Sequence, residues 1–77
     1  MIKVIGRIGC RECLLAKQKL ENAGISYEYL LEHEVEKGQL DMAYRLAEQA
    51  GNLNAPIILH KGQSFNVDEV LEQWKDI

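Results

Sequence analysis

The sequence predicts one α/β domain over residues 1–77, a four-stranded mixed sheet flanked by three helices in the order β-α-β-α-β-β-α. Three observations carry this. The apolar period switches from two to about three and a half near residue 10, and the alternation of the two patterns continues along the chain. Gly24 and Gly51 stand where the two longer helical patterns stop. Lys61-Gly62 is a tight turn between two short apolar runs, which reads as a hairpin. The first β-α-β unit then carries parallel strands in the right-handed sense, and the last two strands pair antiparallel.

In chain order, MIKVIGRI sets Ile2, Val4 and Ile8 on one face with β-branched side chains, a strand. From Arg11, the spacing of Cys13, Ala16, Leu20 and Ala23 is helical, and Gly24 stops it. ISYEYLLE puts Tyr27, Tyr29 and Leu31 on one side of a second strand, and HEVEKG follows as a charged loop. Leu40, Ala43, Ala47 and Ala50 give a second helix that ends at Gly51. PIILH is a short strand opened by the only proline, and QSFNV returns beside it. Val67, Val70, Leu71, Trp74 and Ile77 form the apolar stripe of a last helix, with Asn66 placed to cap it.

Composition narrows the function. Apolar residues are 47% and charged residues 27%, the balance of an ordinary globular domain. A formal net charge of −3 argues against nucleic acid as a partner, since phosphate contact needs a basic face. No apolar run approaches the roughly 18 residues of a membrane span. Lys3, Gly6 and Arg7 interrupt the first residues, so these do not read as a signal peptide. The expected setting is cytoplasmic and the expected state a monomer. In that setting a Cys-x-x-Cys is catalytic or metal-binding more often than a structural disulfide.

Cys10 and Cys13 are the only cysteines. Cys10 falls where the first strand gives way to the first helix. The free N–H groups and dipole of a helix start there stabilise an anion, which favours thiolate at Cys10. Arg7 and Arg11 flank it with positive charge, opposed by Glu12. Cys13 lies nearly one turn later on the same side, within reach of a disulfide, and begins the buried stripe. In a redox couple Cys10 would attack and Cys13 would resolve. The pair is also compatible with half of a metal site, or with two small core fillers.

Other residues carry plainer readings. His33 and His60 read as surface residues and poor metal ligands, Tyr27, Tyr29 and Trp74 as core, and the EHEVE run as solvated charge. Lys17 is too far along the helix to touch Cys10 and reads as surface or docking charge.

CRECLLAK resembles the C-x-x-C-x-x-A-K pattern of glutaredoxins, with Ala16 and Lys17 matching as well as both cysteines. LENAGISYEY is similar to the family's approach to its second strand, and NAPIIL stands where the family carries its cis-proline. The resemblance implies the thioredoxin-like fold and a thiol–disulfide oxidoreductase with Cys10 as attacking and Cys13 as resolving thiol. It implies a cis Pro56, with the backbone of Ala55 pairing with a bound peptide or glutathione. It places Arg7 toward the glutathione carboxylate and Asp68 near the γ-glutamyl amine, and Arg11, beside Cys10, is a further candidate for substrate or glutathione binding. Phe65-Asn66 stands where the family has Gly-Gly, and the Cys-Arg-Glu-Cys centre lacks the usual Pro-Tyr.

The implied partners are a disulfide-containing protein, ribonucleotide reductase being one candidate, and either glutathione as cosubstrate or a thioredoxin-reductase-type flavoprotein. No resident cofactor or metal is implied. Two rivals use the same cysteines. A copper-chaperone-like carrier would run β-α-β-β-α-β and end in a strand. An iron–sulfur module would join Cys10 of two chains, with two glutathiones, around a cluster.

Overall fold

A computed structural model describes residues 2–53 and 56–74, the last of these without its side chain. The elements are β1 (Ile2–Gly6), α1 (Arg11–Asn22), β2 (Tyr27–Leu31), a 3₁₀ turn (Glu32–Glu34), α2 (Lys37–Ala50), β3 (Ile57–His60), β4 (Gln63–Phe65) and α3 (Val67–Trp74). The sheet order is β2-β1-β3-β4. β1 and β2 are parallel, and the β1–β3 and β3–β4 pairs are antiparallel. This is the expected three-helix, four-strand mixed architecture. Its order excludes the copper-chaperone fold, because a helix follows β2 and α3 follows the hairpin.

Alternation along the strands divides the core in two. Ile2 and Val4 of β1, Leu20 of α1, Ile58 of β3 and Val70 of α3 make one cluster, with Tyr27 and Tyr29 packed against it. Ile5 and Ile57 point the other way and meet Ala43 and Ala47 of α2. Helices α1 and α3 therefore cover one face and α2 the other.

The helix ends were legible because they are local. Gly24 and Gly51 take φ of +73° and +75°. At each, the following residue's N–H reaches back to the helix, Ile25 to Leu20 O at 3.0 Å and Asn52 to Ala47 O at 2.7 Å. These are left-handed terminations that glycine adopts without steric cost. Asn66 caps α3 as expected: its Oδ1 accepts from Glu69 N–H at 2.8 Å, and Glu69 Oε1 accepts from Asn66 N–H at 3.0 Å. At the hairpin, Lys61 and Gly62 both have positive φ, +49° and +74°, the two-residue turn that matches strand twist.

Several expectations shift. β1 ends at Gly6, so Ile8 leaves the sheet and is 77% exposed. The charged loop after β2 instead forms the 3₁₀ turn and the start of α2. Ala23 and Ala50 end their helices in solvent instead of extending the buried stripes. His60 is half-buried, not a surface residue. The Trp74 side chain and Ile77 lie outside the described residues.

The Tyr27 hydroxyl donates to Glu21 Oε1 at 2.6 Å, tying β2 to the last turns of α1. Partial burial and that carboxylate push the phenol up to about 12. A tyrosine in the unfolded chain ionises near 10. Between these values the folded chain binds more protons, so stability falls as pH rises through about 10 to 12. An absorbance titration at 295 nm should show a tyrosinate step near pH 12 that Glu21→Gln moves down toward 10.

Candidate active site

The C-terminal end of β1 builds the site. After Gly6 the chain runs through Arg7, Ile8 and Gly9, whose φ of +75° turns it toward α1, and Cys10 N–H closes the turn on Arg7 O at 3.3 Å. Cys10 is the N-cap of α1, with extended φ and ψ of −87° and 109°. Its Sγ accepts a hydrogen bond from Cys13 N–H at 3.2 Å. That is the part usually taken by a Ser, Thr, Asp or Asn oxygen. Here a sulfur holds the position, at the positive end of a 12-residue helix.

Cys10 and Cys13 are joined in a disulfide, with Cα atoms 5.3 Å apart, inside the range such a bond spans. Cys10 is half-buried and Cys13 fully buried, 0% exposed. A visiting sulfur can thus approach Cys10 and not Cys13, and the helix start favours negative charge on the accessible sulfur.

Arg7 does not face the cysteines freely. Its Nε donates to Glu32 Oε2 at 2.6 Å and its Nη2 to the Tyr44 hydroxyl at 3.0 Å. Tyr44 and Arg7 in turn hold the Glu32 carboxyl below its ordinary range, against partial desolvation. Arg11 is exposed on the first turn of α1, beside Glu12. Pro56 reaches the same cavity as the first turns of α1 and α3: about 200 Å³, lined among others by Glu12, Leu15, Lys19, Asn66 and Val67. Asp68 is exposed in the first turn of α3 and does not line it. Ala55 lies outside the described residues, and with it the start of the peptide bond to Pro56.

Three features escaped the sequence. Glu32 and Tyr44, which hold Arg7, stand 25 and 37 residues away from it. Leu14 and Leu15, assigned no role from the sequence, are exposed beside the disulfide, as Ile8 is before it. Lys17 is not loose surface charge: its Nζ lies 4.3 Å from the centroid of the Tyr29 ring. Only the period of α1 bore on any of these, since it leaves Leu14 and Leu15 off the Cys13–Ala16–Leu20 stripe.

A thioredoxin-like fold with a Cys-x-x-Cys disulfide at the start of its first helix defines the class. Solved structures similar to the chain include glutaredoxins, a methanoredoxin and a thioredoxin-like protein. A glutaredoxin from Methanosarcina mazei Go1 superposes with a TM-score of 0.69 at 17% identity, over 94% of this chain and 75% of that one. The holo form of glutaredoxin C1 from Populus tremula × tremuloides gives 0.63 at 27% identity, over 97% and 74%. Methanoredoxin from Methanosarcina acetivorans gives 0.61 at 18% identity, over 92% and 80%. No protein-family model matches the chain, and no curated protein sequence does. These neighbours, taken with the cysteine pair, support a thiol–disulfide redox role. Among the described residues no helix is long and apolar enough to cross a membrane.

Proposed function

We propose that this chain reduces disulfides in protein partners and is itself recycled by a thioredoxin-reductase-type flavoprotein or another dithiol donor in preference to glutathione. The Cys10 thiolate attacks one sulfur of the partner's disulfide, forming a mixed disulfide and releasing the partner's other sulfur as a thiolate. Cys13 then displaces the partner from Cys10, closing the Cys10–Cys13 bond and leaving the partner as a dithiol. Two electrons from the reductant reopen that bond.

The observation that carries the reading is the Cys10 Sγ at the cap of α1, bonded to a buried Cys13 and accepting that residue's own N–H. Two features favour a protein over glutathione. Arg7, which the resemblance assigns to the glutathione carboxylate, already holds Glu32. Two of the N–H groups at the start of α3, those of Asn66 and Glu69, are taken by the Asn66–Glu69 pair, and the Asp68 carboxylate lies in the same turn. A carboxylate arriving there meets the negative charge of Asp68 and Glu69 and fewer free donors than an uncapped helix start presents. The exposed Ile8, Leu14 and Leu15 give a protein surface something apolar to cover.

The test is turnover of a small protein disulfide, measured once with glutathione plus glutathione reductase and once with NADPH plus thioredoxin reductase. The flavoprotein arm should run faster. Glu32→Ala, which removes the carboxylate paired with Arg7, should raise the glutathione arm. A wild-type chain active with glutathione alone overturns the assignment of reductant, and a chain inactive with both overturns the redox reading.

A further inference from the structure

Resting on that redox reading, we propose that Tyr29, held by Lys17, is a positioning residue for the resolving thiol: its hydroxyl donates to Cys13 when Cys13 becomes a thiolate. Cys13 poses a chemical problem that Cys10 does not. It is 0% exposed, and its own backbone N–H is already given to Cys10 Sγ. A thiol buried among apolar groups keeps its proton, yet only the thiolate resolves a mixed disulfide.

The geometry supplies a donor. Tyr29 sits on β2 opposite Val4 of β1, on the face that α1 covers. Its side chain leans from there to the end of β1 and occupies the space a Gly6 side chain would fill. A Cβ built on Gly6 would come within 2.1 Å of the Tyr29 hydroxyl oxygen. α1 must run back over this sheet, because it joins two parallel strands, so its first turn lies over their C-terminal ends. The first turn contains Cys13, and the end of β1 contains Gly6. The hydroxyl is therefore carried beneath the turn that holds the resolving sulfur.

Lys17 fixes this arrangement. It stands four residues after Cys13, one turn along the same side of α1, where side chains lie roughly 5–6 Å apart. Side chains of a helix lean toward its N-terminus, so the Lys17 stem points back toward Cys13 while its ammonium rests on the Tyr29 ring. The ammonium seated on the ring keeps the phenol from turning away from this position.

Among the described residues, the other polar groups of the elements packed against α1 are exposed or already engaged. From β1, the facing Val4 and Gly6 carry no charge. From β2, Tyr27 gives its hydroxyl to Glu21 at the far end of α1. From α3, Val67 and Val70 face the core, while Asp68, Glu69 and Glu72 are exposed. On α1 itself, Arg11 and Glu12 are exposed.

In the resolving step the Cys13 proton passes to solvent. The thiolate forms the Cys13–Cys10 bond and breaks the bond from Cys10 to the partner. The partner's sulfur leaves as a thiolate and takes a proton from solvent.

The test separates this step from the first. The reduced protein, with cysteine labelled at Cβ with carbon-13, is titrated by NMR as wild type, Tyr29→Phe and Lys17→Gln. Both variants should move the Cys13 midpoint to higher pH and leave Cys10 where it was. In stopped-flow reduction of a protein disulfide, Tyr29→Phe should form the mixed disulfide at the wild-type rate and resolve it about tenfold more slowly near pH 7, the loss expected for one hydrogen bond to a charged group. Raising the pH should recover the difference, which a packing defect would not do. An unchanged Cys13 midpoint in both variants overturns the proposal. The titration needs no turnover, so a shifted midpoint in a chain that reduces nothing would count against the redox reading and not against the Tyr29–Cys13 contact.

Discussion

Cys10→Ser is expected to abolish disulfide reduction, with turnover at the level of the reductant alone, while Cys13→Ser stops the reaction one step later. The asymmetry follows from position. Cys10 is half-buried at the mouth of α1, and Cys13 lies behind it with no exposed surface. A serine at residue 10 preserves the cap, since its oxygen accepts from the same N–H, so the fold should survive and the loss can be assigned to chemistry. A serine at residue 13 removes the displacing sulfur and leaves the partner attached to Cys10. That adduct should appear as a stable species in intact-mass spectrometry, equal to the sum of the two chains and cleaved by dithiothreitol. The thiolate character of Cys10 is checked by iodoacetamide alkylation of the reduced chain across pH 4 to 9. Its rate should reach half-maximum below the value of about 8.5 for a free cysteine. A half-point at or above that value, or full activity in Cys10→Ser, would remove the helix start from the account.

What the sequence disclosed and what it withheld divide by distance along the chain. The cysteine spacing, the Gly24 and Gly51 helix stops, the Asn66 cap and the Lys61-Gly62 turn each involve residues within a few positions of one another, where backbone preference decides the outcome. The strand order is less local, but element order and the rules of connection leave few alternatives. The partners of Arg7 were not legible. The residue is flanked by nothing that predicts Glu32 or Tyr44, and only the pairing of β1 with β2, which brings Gly6 opposite Leu31, carries Glu32 to it. Ile8 continued the alternation of β1 on paper, yet the turn through Gly9 takes it out of the sheet. Lys17 looked like solvated charge because a helical pattern shows which side a residue occupies, not which aromatic ring waits there. The pairing of Arg7, which bears on choice of partner, is thus set by tertiary contacts, while the reactive pair itself was written locally.

Gly6→Ala is expected to destabilise the fold by about 1–3 kcal/mol, the usual cost of forcing a methyl into a filled site. The cause is space and not backbone conformation, because Gly6 is not among the residues with positive φ. The new Cβ would lie 2.1 Å from the Tyr29 hydroxyl oxygen and 2.7 Å from the ring carbon that bears it. The ring cannot simply swing away, since it is packed against the cluster of Val4 and Leu20 and lies under the Lys17 ammonium. An opposing effect is present: alanine restricts the unfolded chain and stabilises by about 0.4–1 kcal/mol where the native backbone tolerates it. Steric cost should win, because two atoms of a confined ring must move and one of them is bonded directly into the ring. For a domain whose whole stability is about 4–12 kcal/mol at ordinary values per residue, the loss lowers the melting temperature by about 4–8 °C for each kcal/mol. Tyr29→Leu empties the space above Gly6, so adding Gly6→Ala to that background should cost little and the two changes should couple by at least about 1 kcal/mol in urea melts. Additive losses, or a Gly6→Ala chain as stable as the parent, would mean that the ring is not seated on Gly6, and the hydroxyl would lose its place beneath Cys13 with it.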